Sequence, residues 1–219
     1  MRLPGPTAHF SQHVRFGNYA ARRVRRARFA ALAADAEKAT TAVLAAGRAL
    51  EDADKPIQDA LADRDGFDDD LDEAAQHARA NLAGRSADAI KKAPYSLIFP
   101  DGIGYYTAAP LDEEVRRYGE LKRRIEEHLP SNDAVRIQTV AAIDAGLDGF
   151  STSVAALAKA RTEEALASTR LTAAIEAWEK QMEKTYGALV AERGRSTADK
   201  FFPRVRGKKG KPDDPANGG

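Results

Sequence analysis

Hydrophobic residues recur at alternating spacings of three and four along the C-terminal half of the chain, a period typical of an amphipathic helix. The pattern runs from Ile143 to Leu189, a segment without proline. Its members are Ile143, Leu147, Phe150, Val154, Leu157, Leu171, Ile175, Trp178, Met182 and Leu189. These side chains would form one apolar stripe, which other helices must cover. The segment therefore predicts an all-α protein.

Three earlier segments carry comparable stripes and complete a set of four long predicted helices. We expect helices over about 18–53, 56–92, 111–147 and 151–193. Asp54 can cap the second helix and Pro56 suits its first turn, whereas Pro130 kinks or divides the third helix. A last turn is expected between Gly146 and Ser153.

Two alternatives to this division remain open. The first stripe continues at Ile57 and Leu61, so the first two helices could form one kinked helix. Residues 131–193 could likewise form a single helix of about 90 Å that projects as a coiled-coil stalk. In that case Arg161, Glu164 and Ser168 would face a partner chain.

The segment 94–109 differs in character from the helical segments. Two runs rich in aromatic and β-branched residues, 95–99 and 103–107, flank the turn sequence Pro100-Asp101-Gly102. This pattern predicts either a short β-hairpin or an extended crossover between the second and third helices. The predicted fold is therefore an all-α, elongated antiparallel four-helix bundle, coiled-coil-like, with this crossover.

The two ends of the chain differ from the bundle in composition. Residues 1–17 contain two prolines and two glycines and predict a flexible basic arm. The predicted helical bundle covers residues 18–203, crossover included. Residues 204–219 predict a disordered tail that is first basic and then rich in proline and glycine.

Composition limits the classes of protein to which the chain can belong. Of its 219 residues 43% are hydrophobic, 31% charged and 7% aromatic, as is typical of long helices and coiled coils. The absence of cysteine excludes disulfides, cysteine-ligated zinc and thiol catalysis. Because we find neither a secretory signal nor an apolar run long enough to span a membrane, we expect a soluble cytoplasmic protein.

Histidine spacing gives the main candidate for a metal site. His9 and His13 are separated by four residues, which on a helix would place both on one face. No carboxylate lies near them in the sequence. The Glu-x-x-His motif of di-iron bundles is also absent, because Ala74 and Ile125 precede the other two histidines by three positions. We therefore expect no metal site.

Other chemical motifs are equally weak. The acidic run 63–72 resembles a calcium loop, but its first ligand position is Leu61 and its last is Asp72 rather than glutamate. We find no phosphate-binding loop, serine-nucleophile elbow or zinc spacing. The sequence therefore predicts no catalytic residue, no cofactor and no small-molecule substrate, and a non-enzymatic protein.

The distribution of charge is the most informative functional feature. Residues 1–30 contain seven arginines and no acid, and residues 195–211 contain seven basic residues and one acid. Residues 51–73 hold eleven acids and only two bases. In an up-down-up-down bundle, the start of the first helix, the crossover and the end of the fourth helix share one pole. A basic, aromatic-rich pole therefore becomes the candidate site for an anionic partner.

The candidate partner-binding residues combine the basic side chains with the aromatics of that pole. They are Arg22, Arg23, Arg25, Arg26, Arg28, Tyr95, Phe99, Tyr105, Tyr106, Phe201, Phe202, Arg204, Arg206, Lys208 and Lys209. The structural alternative is that the aromatics close the end of the core and the arginines only solvate its rim. Our functional hypothesis is a scaffold that docks a protein partner, or a second copy of itself, through this pole. The first alternative is a sequence-nonspecific nucleic-acid-binding protein, and the second is a metal-dependent or other enzyme.

Overall fold

The computed structural model describes residues 1–5 and 7–203, and this part of the chain is all-helical and contains no strand. The all-α prediction is therefore confirmed, whereas the four-helix bundle is not. The α-helices are α1 (Phe10–Arg26), α2 (Ala30–Asp52), α3 (Asp54–Ala83), α4 (Tyr95–Ile98), α5 (Gly104–Thr107), α6 (Glu114–His128), α7 (Ala134–Arg193) and α8 (Arg195–Ala198). Short 3-10 turns lie at Ala89–Lys91 and Asp199–Phe201.

The chain folds into two compact units. The first combines residues 1–52 with the chain from residue 164 onward, and the second comprises residues 53–163. Helix α7 contributes its C-terminal part to the first unit and its N-terminal part to the second. Each unit therefore uses three long helical segments, instead of the four equal arms expected from the sequence.

The core of the first unit is built around Trp178 of α7, which is completely buried. Phe16 of α1 packs against its ring at a centroid distance of 5.7 Å. The indole N–H donates a hydrogen bond to Thr40 Oγ1 of α2 at 3.1 Å, and that hydroxyl donates to the Ala36 carbonyl at 2.7 Å. Trp178 thus joins the three helices and satisfies its one polar atom.

Helix α1 corrects the sequence prediction at both ends. It begins at Phe10 rather than near Asn18, and it ends at Arg26, before a turn that precedes α2. Phe10 and Phe16 are buried, so the segment expected to be a loose arm has a core-facing side of its own. Gly17 lies inside this helix because the neighbouring side chains leave no room for a Cβ at that position.

The core of the second unit is formed by α3, α6, the first part of α7 and the short helices. Its largest fully buried side chains include Leu71, Tyr118, Ile125 and Ile143. Phe67 and Leu71 of α3 occupy the space that a Cβ on Gly149 and Gly146 of α7 would need. The absence of a side chain at these two glycines therefore lets α7 approach α3 closely.

The segment predicted as a hairpin or extended crossover forms two single helical turns, α4 and α5, so the β-hairpin is not confirmed. Its turn at 100–102 is present, with the Gly102 N–H donating to the Phe99 carbonyl at 3.2 Å. Phe99 and Tyr106 are buried, and the Tyr106 hydroxyl donates to the Ile98 carbonyl at 3.1 Å. Packing on the core thus overrides the local β propensity of these residues.

Helix α7 is one continuous helix of 60 residues, so the turn predicted between Gly146 and Ser153 is wrong. The helical continuity of the single-helix alternative is confirmed, whereas its coiled-coil stalk stays a prediction. One of its 18-residue windows reaches a mean hydropathy of 1.2, with 28% of the window buried. This part of α7 is long and apolar enough to span a membrane. Core helices of soluble proteins can have the same length and composition. The sequence expectation that no run approaches a span was therefore too strong.

The other helix boundaries also differ from the sequence prediction. A single residue, Ala53, separates α2 from α3, and its backbone stays in the right-handed helical region. The segment 51–56, where a turn was predicted, is therefore helical except at Ala53. Helix α3 ends at Ala83, nine residues before the predicted end.

Candidate functional site

The C-terminal half of α1 presents a row of arginines to solvent. Ala20, Ala21 and Val24 are completely buried, and they fix which side of the helix faces the core. The helical period then turns the intervening positions outward. We define the arginine surface as the exposed residues Arg22, Arg23, Arg25, Arg26 and Arg28.

Only one member of the arginine surface is neutralised by a carboxylate within the described residues. Arg25 Nη2 lies 2.5 Å from Glu37 Oε2 of α2. Arg23 Nη2 donates to the Lys200 carbonyl at 3.3 Å, a contact that leaves its positive charge uncompensated. The arginine surface therefore keeps a local excess of positive charge, which can attract a negatively charged partner from a distance.

Arg28 occupies a backbone conformation that suits glycine. Its φ is 70°, in the left-handed region, at the position that follows the C-terminal cap of α1. The Phe29 N–H donates to the Val24 carbonyl and the Arg28 N–H to the Arg25 carbonyl, at 3.3 and 3.0 Å. This is the Schellman arrangement, in which glycine is preferred. Because strained backbone conformations are often found at functional positions, the φ of Arg28 supports a functional role for its side chain.

A second basic feature of the same unit is an open cleft beside α1, which we call the terminal cleft. Its lining residues are Met1, Arg2, Tyr19, Arg195, Ser196, Asp199, Lys200, Phe202 and Pro203. Three of these side chains are cationic, and Asp199 is the single acid among them.

Asp199 already accepts hydrogen bonds from two donors. The ammonium group of Met1 lies 3.1 Å from its Oδ1, and the Tyr186 hydroxyl donates to the same oxygen at 2.9 Å. These hydrogen bonds hold the pKa of Asp199 below its ordinary value. The carboxylate is thus partly neutralised by the Met1 ammonium group, and the cleft keeps a net positive charge from Arg2, Arg195 and Lys200.

The structure does not assemble all the predicted pole residues in one unit. The arginine surface, Phe201 and Phe202 belong to the first unit, whereas Tyr95, Phe99, Tyr105 and Tyr106 belong to the second. The remaining candidates, Arg204, Arg206, Lys208 and Lys209, lie outside the described residues.

Most of the predicted aromatics serve the cores of their units. Phe99, Tyr106 and Phe202 are 3%, 1% and 4% exposed. Phe202 packs against Phe16 and Tyr186, with ring centroids 6.1 and 5.6 Å apart. These three rings are therefore core residues, as expected if the aromatics serve the core rather than a partner. Among the candidate residues that the structure describes, the arginines are the exposed ones.

Tyr19 is the accessible aromatic that sequence reasoning missed. It is 46% exposed and lines the terminal cleft. It precedes Arg22 by three residues and Arg26 by seven, which places the three on one side of α1. All three residues lie within the helix predicted from residue 18, so their spacing was visible in the sequence, whereas the exposure of Tyr19 required the structure.

Sequence reasoning also missed a cluster of acids in the second unit, in which Glu114 is buried and Asp68 and Asp72 are half-buried. Glu114 is 2% exposed, and its carboxyl group is hydrogen bonded to that of Asp68 on α3. Burial first, and the nearby Asp68 and Asp72 next, raise the pKa of Glu114 to about 8. The Tyr118 hydroxyl donates to Asp72 Oδ1 at 2.5 Å. The raised pKa favours the protonated form of Glu114 at neutral pH, and that form can donate a hydrogen bond to Asp68.

The two histidines considered for metal binding have different structural roles. His9 Nδ1 accepts a hydrogen bond from the Ser11 N–H at 3.3 Å at the start of α1. His13 is completely buried with its ring edge-on to Trp178, at 5.2 Å between centroids. Within residues 1–5 and 7–203, no group of three or more His, Cys, Asp or Glu side chains is arranged to hold a metal ion.

Comparison of the chain with protein-family models, curated proteins and solved structures finds no match. Its function must therefore be inferred from its own geometry and charge. The arginine surface and the terminal cleft of the first unit are the features that point most directly to a partner.

Proposed function

We propose that this protein is a non-enzymatic, cytoplasmic helical scaffold that docks an anionic partner through the arginine surface. The observation that supports this proposal is the set of exposed arginines at the C-terminal end of α1 and just beyond it, of which only Arg25 has an ion pair within the described residues. Guanidinium groups suit such a role because they stay charged and can form paired hydrogen bonds with carboxylates and phosphates.

The helical frame supports the same proposal. Residues held on a helix that is packed on one side keep a fixed spacing, which helps a surface to recognise a partner without rearrangement. Ala20 and Val24 anchor α1 beneath the arginines. We further propose that the long helices pack in a coiled-coil-like manner, because α7 keeps the spacing of three and four over much of its length.

The anionic partner has two natural chemical classes, an acidic polypeptide and a nucleic acid. An acidic polypeptide includes a second copy of this chain, since residues 51–73 hold eleven acids. Head-to-tail association of that kind would be sensitive to salt, because the charges on both sides are exposed. Sedimentation of the protein at low and high salt tests self-association directly.

The proposal is tested by fluorescence anisotropy with two labelled probes, polyglutamate and a short oligonucleotide, at low and moderate salt. We expect at least one probe to bind and its affinity to fall as salt rises. Replacing Arg22, Arg23, Arg25 and Arg26 by alanine, a change we call the arginine variant, should remove most of the binding.

The matched control replaces four other exposed arginines, Arg48, Arg79, Arg161 and Arg170, by alanine. It loses the same charge at positions outside the arginine surface and should keep its affinity. Failure of both probes to bind at low salt would contradict the proposed function. Equal losses in the two variants would show that net charge, rather than this surface, is responsible.

A further inference from the structure

We propose that the terminal cleft and the adjoining side of α1 bind single-stranded nucleic acid, with Tyr19 as the ring on which a base stacks. This inference rests on the proposed function and names its partner. It is carried by the position of an exposed aromatic ring between two groups of cationic side chains in one compact unit.

The charge of the cleft suits a phosphate backbone. Arg2, Arg195 and Lys200 line it together, and its one acid, Asp199, is engaged by Tyr186 and the Met1 ammonium group. Proteins that hold single strands without sequence preference combine a basic groove for the backbone with aromatic rings for the bases. The terminal cleft supplies the groove.

A backbone bound in the cleft can continue along α1. Arg22, Arg25 and Arg26 line a second open depression with Asn18 and Glu37, where Arg25 is paired with Glu37. From Tyr19 to Arg26 the helix rises about 10 Å. Successive phosphates leaving the cleft therefore meet Arg22 and Arg26, which lie on the same side of the helix as Tyr19. Each neutralised phosphate adds to the affinity at low salt.

The ring of Tyr19 favours a nucleic acid over an acidic polypeptide as the partner. The face of an aromatic ring carries negative electrostatic potential, so it gives no attraction to a carboxylate. A nucleobase, by contrast, stacks on such a face whatever its identity. Because Tyr19 is 46% exposed inside a cationic cleft, its ring is available to a base.

The same residue favours a single strand over a duplex. Bases in a duplex are already stacked on their neighbours, and a side chain reaches their faces only after unstacking, which costs free energy. In a single strand the bases can splay onto a protein ring. Tyr19 therefore adds affinity for single strands, whereas the arginines act on both forms.

The test compares three fluorescein-labelled probes by anisotropy at several salt concentrations: a single-stranded oligonucleotide of mixed sequence, the same sequence as a duplex, and polyglutamate. We expect the single strand to bind most tightly. Its logarithmic affinity should fall with logarithmic salt by about 0.7 for each phosphate contacted. The Tyr19→Ala variant should bind it about tenfold more weakly, whereas Tyr19→Phe keeps the ring and should bind normally.

Each outcome supports or overturns the inference. Tyr19→Ala binding as tightly as wild type, or a duplex binding as tightly as the single strand, overturns it. Polyglutamate binding without oligonucleotide binding also overturns it but leaves the proposed function standing. Absence of binding by all three probes overturns both. Circular dichroism of the Tyr19 variants checks that α1 is still folded, which is expected because the substituted side chain is half exposed.

Discussion

Gly17 and Thr40 lie so close together that a Cβ at position 17 would be 2.1 Å from the Thr40 hydroxyl oxygen. It would also be 2.8 Å from Trp178 Nε1, the donor of the hydrogen bond to that hydroxyl. Helices α1, α2 and α7 thus meet at a point where only a hydrogen atom fits. The position of α1, and with it the arginine surface, depends on this contact.

We therefore expect Gly17→Ala to destabilise the first unit by about 1–3 kcal/mol or more, as overpacking of a tight core does. Trp178 is the only tryptophan, so its fluorescence during urea unfolding reports this unit alone.

Gly187→Ala is the matched control for that change. Gly187 lies in α7, and no described neighbouring atom comes within 4 Å of a Cβ placed there. This variant should gain about 0.5–1 kcal/mol, because alanine is the better helix former. Equal effects of the two variants would mean that helix propensity, not close packing, governs both glycines.

These glycines show how far the sequence could predict the fold. The hydrophobic period alone identified an all-helical chain with a last helix ending near Arg193, as observed. It could not distinguish a glycine that ends a helix from one that admits a neighbouring side chain. Gly146 indicated a turn in the sequence, yet it lies inside α7 against Leu71 of α3. That distinction depends on long-range packing, which a local pattern does not contain.

The candidate site was predictable to a similar extent. Arg22 and Arg26 were identified from charge alone, since exposed charges need no knowledge of the core. The residues around Phe99 do not distinguish a buried aromatic from an exposed one. The structure shows that Phe99 is buried. Glu114 fits a helix start, where acids are favoured, and its burial against Asp68 depends on a second helix. Burial of aromatic and acidic residues is therefore the part that required the structure.

The strained backbone of Arg28 leads to a prediction about stability and binding together. Arg28→Gly should raise the stability of the first unit by about 1 kcal/mol, because glycine adopts the left-handed conformation without a steric cost. It should also weaken binding of the anionic probes, since one charge of the arginine surface is lost. Urea unfolding and anisotropy measure the two effects on the same preparation.

Arg28→Ala serves as the control for that experiment. Alanine removes the charge but keeps the Cβ, so the strain remains and the stability should stay near that of wild type. The binding loss should match that of Arg28→Gly. If the alanine variant were as strongly stabilised as the glycine variant, relief of charge repulsion rather than of backbone strain would explain the gain.

Buried His13 gives the first unit a specific dependence on pH. Burial lowers the pKa of His13 from its ordinary value of 6.5, so the folded protein binds fewer protons here than the unfolded chain. This stabilising effect is complete above pH 6.5 and is lost as the pH falls below it. Urea unfolding followed by Trp178 fluorescence should show a midpoint that decreases with acidification below that pH.

The neutral variant His13→Gln should show a flatter pH dependence, whatever its absolute stability. His77→Gln provides the control, since His77 is exposed on α3 in the other unit. If His13→Gln kept the full acid sensitivity of the wild type, another group would have to be responsible.

Glu114 gives the second unit the opposite dependence. Its pKa of about 8 lies above its ordinary value of 4.5, so the folded state holds a proton that the unfolded chain releases. The stability linked to this proton is complete below pH 4.5 and is lost as the pH rises through 8. Asp68 and Asp72 oppose ionisation of Glu114, while Arg117 partly favours it.

Glu114→Gln should reduce this decline, because the amide can still donate a hydrogen bond to Asp68 and does not ionise. Thermal unfolding followed by circular dichroism between pH 5 and about 9 compares the variant with wild type. Glu113→Gln is a matched control on the preceding residue. A wild-type stability that rises over this range, or an unchanged slope in Glu114→Gln, would contradict the assigned role of the carboxyl pair.

The most direct test of the central claim is the affinity of the arginine variant for the tightest-binding polyanion, measured against salt concentration alongside wild type and the control arginine variant. The account predicts that wild type and control share the same steep decrease in affinity with salt. The arginine variant should bind at least about tenfold more weakly at low salt, with a shallower decrease, because it releases fewer counterions. Identical affinities and slopes for all three proteins would contradict the claim that this surface docks an anionic partner.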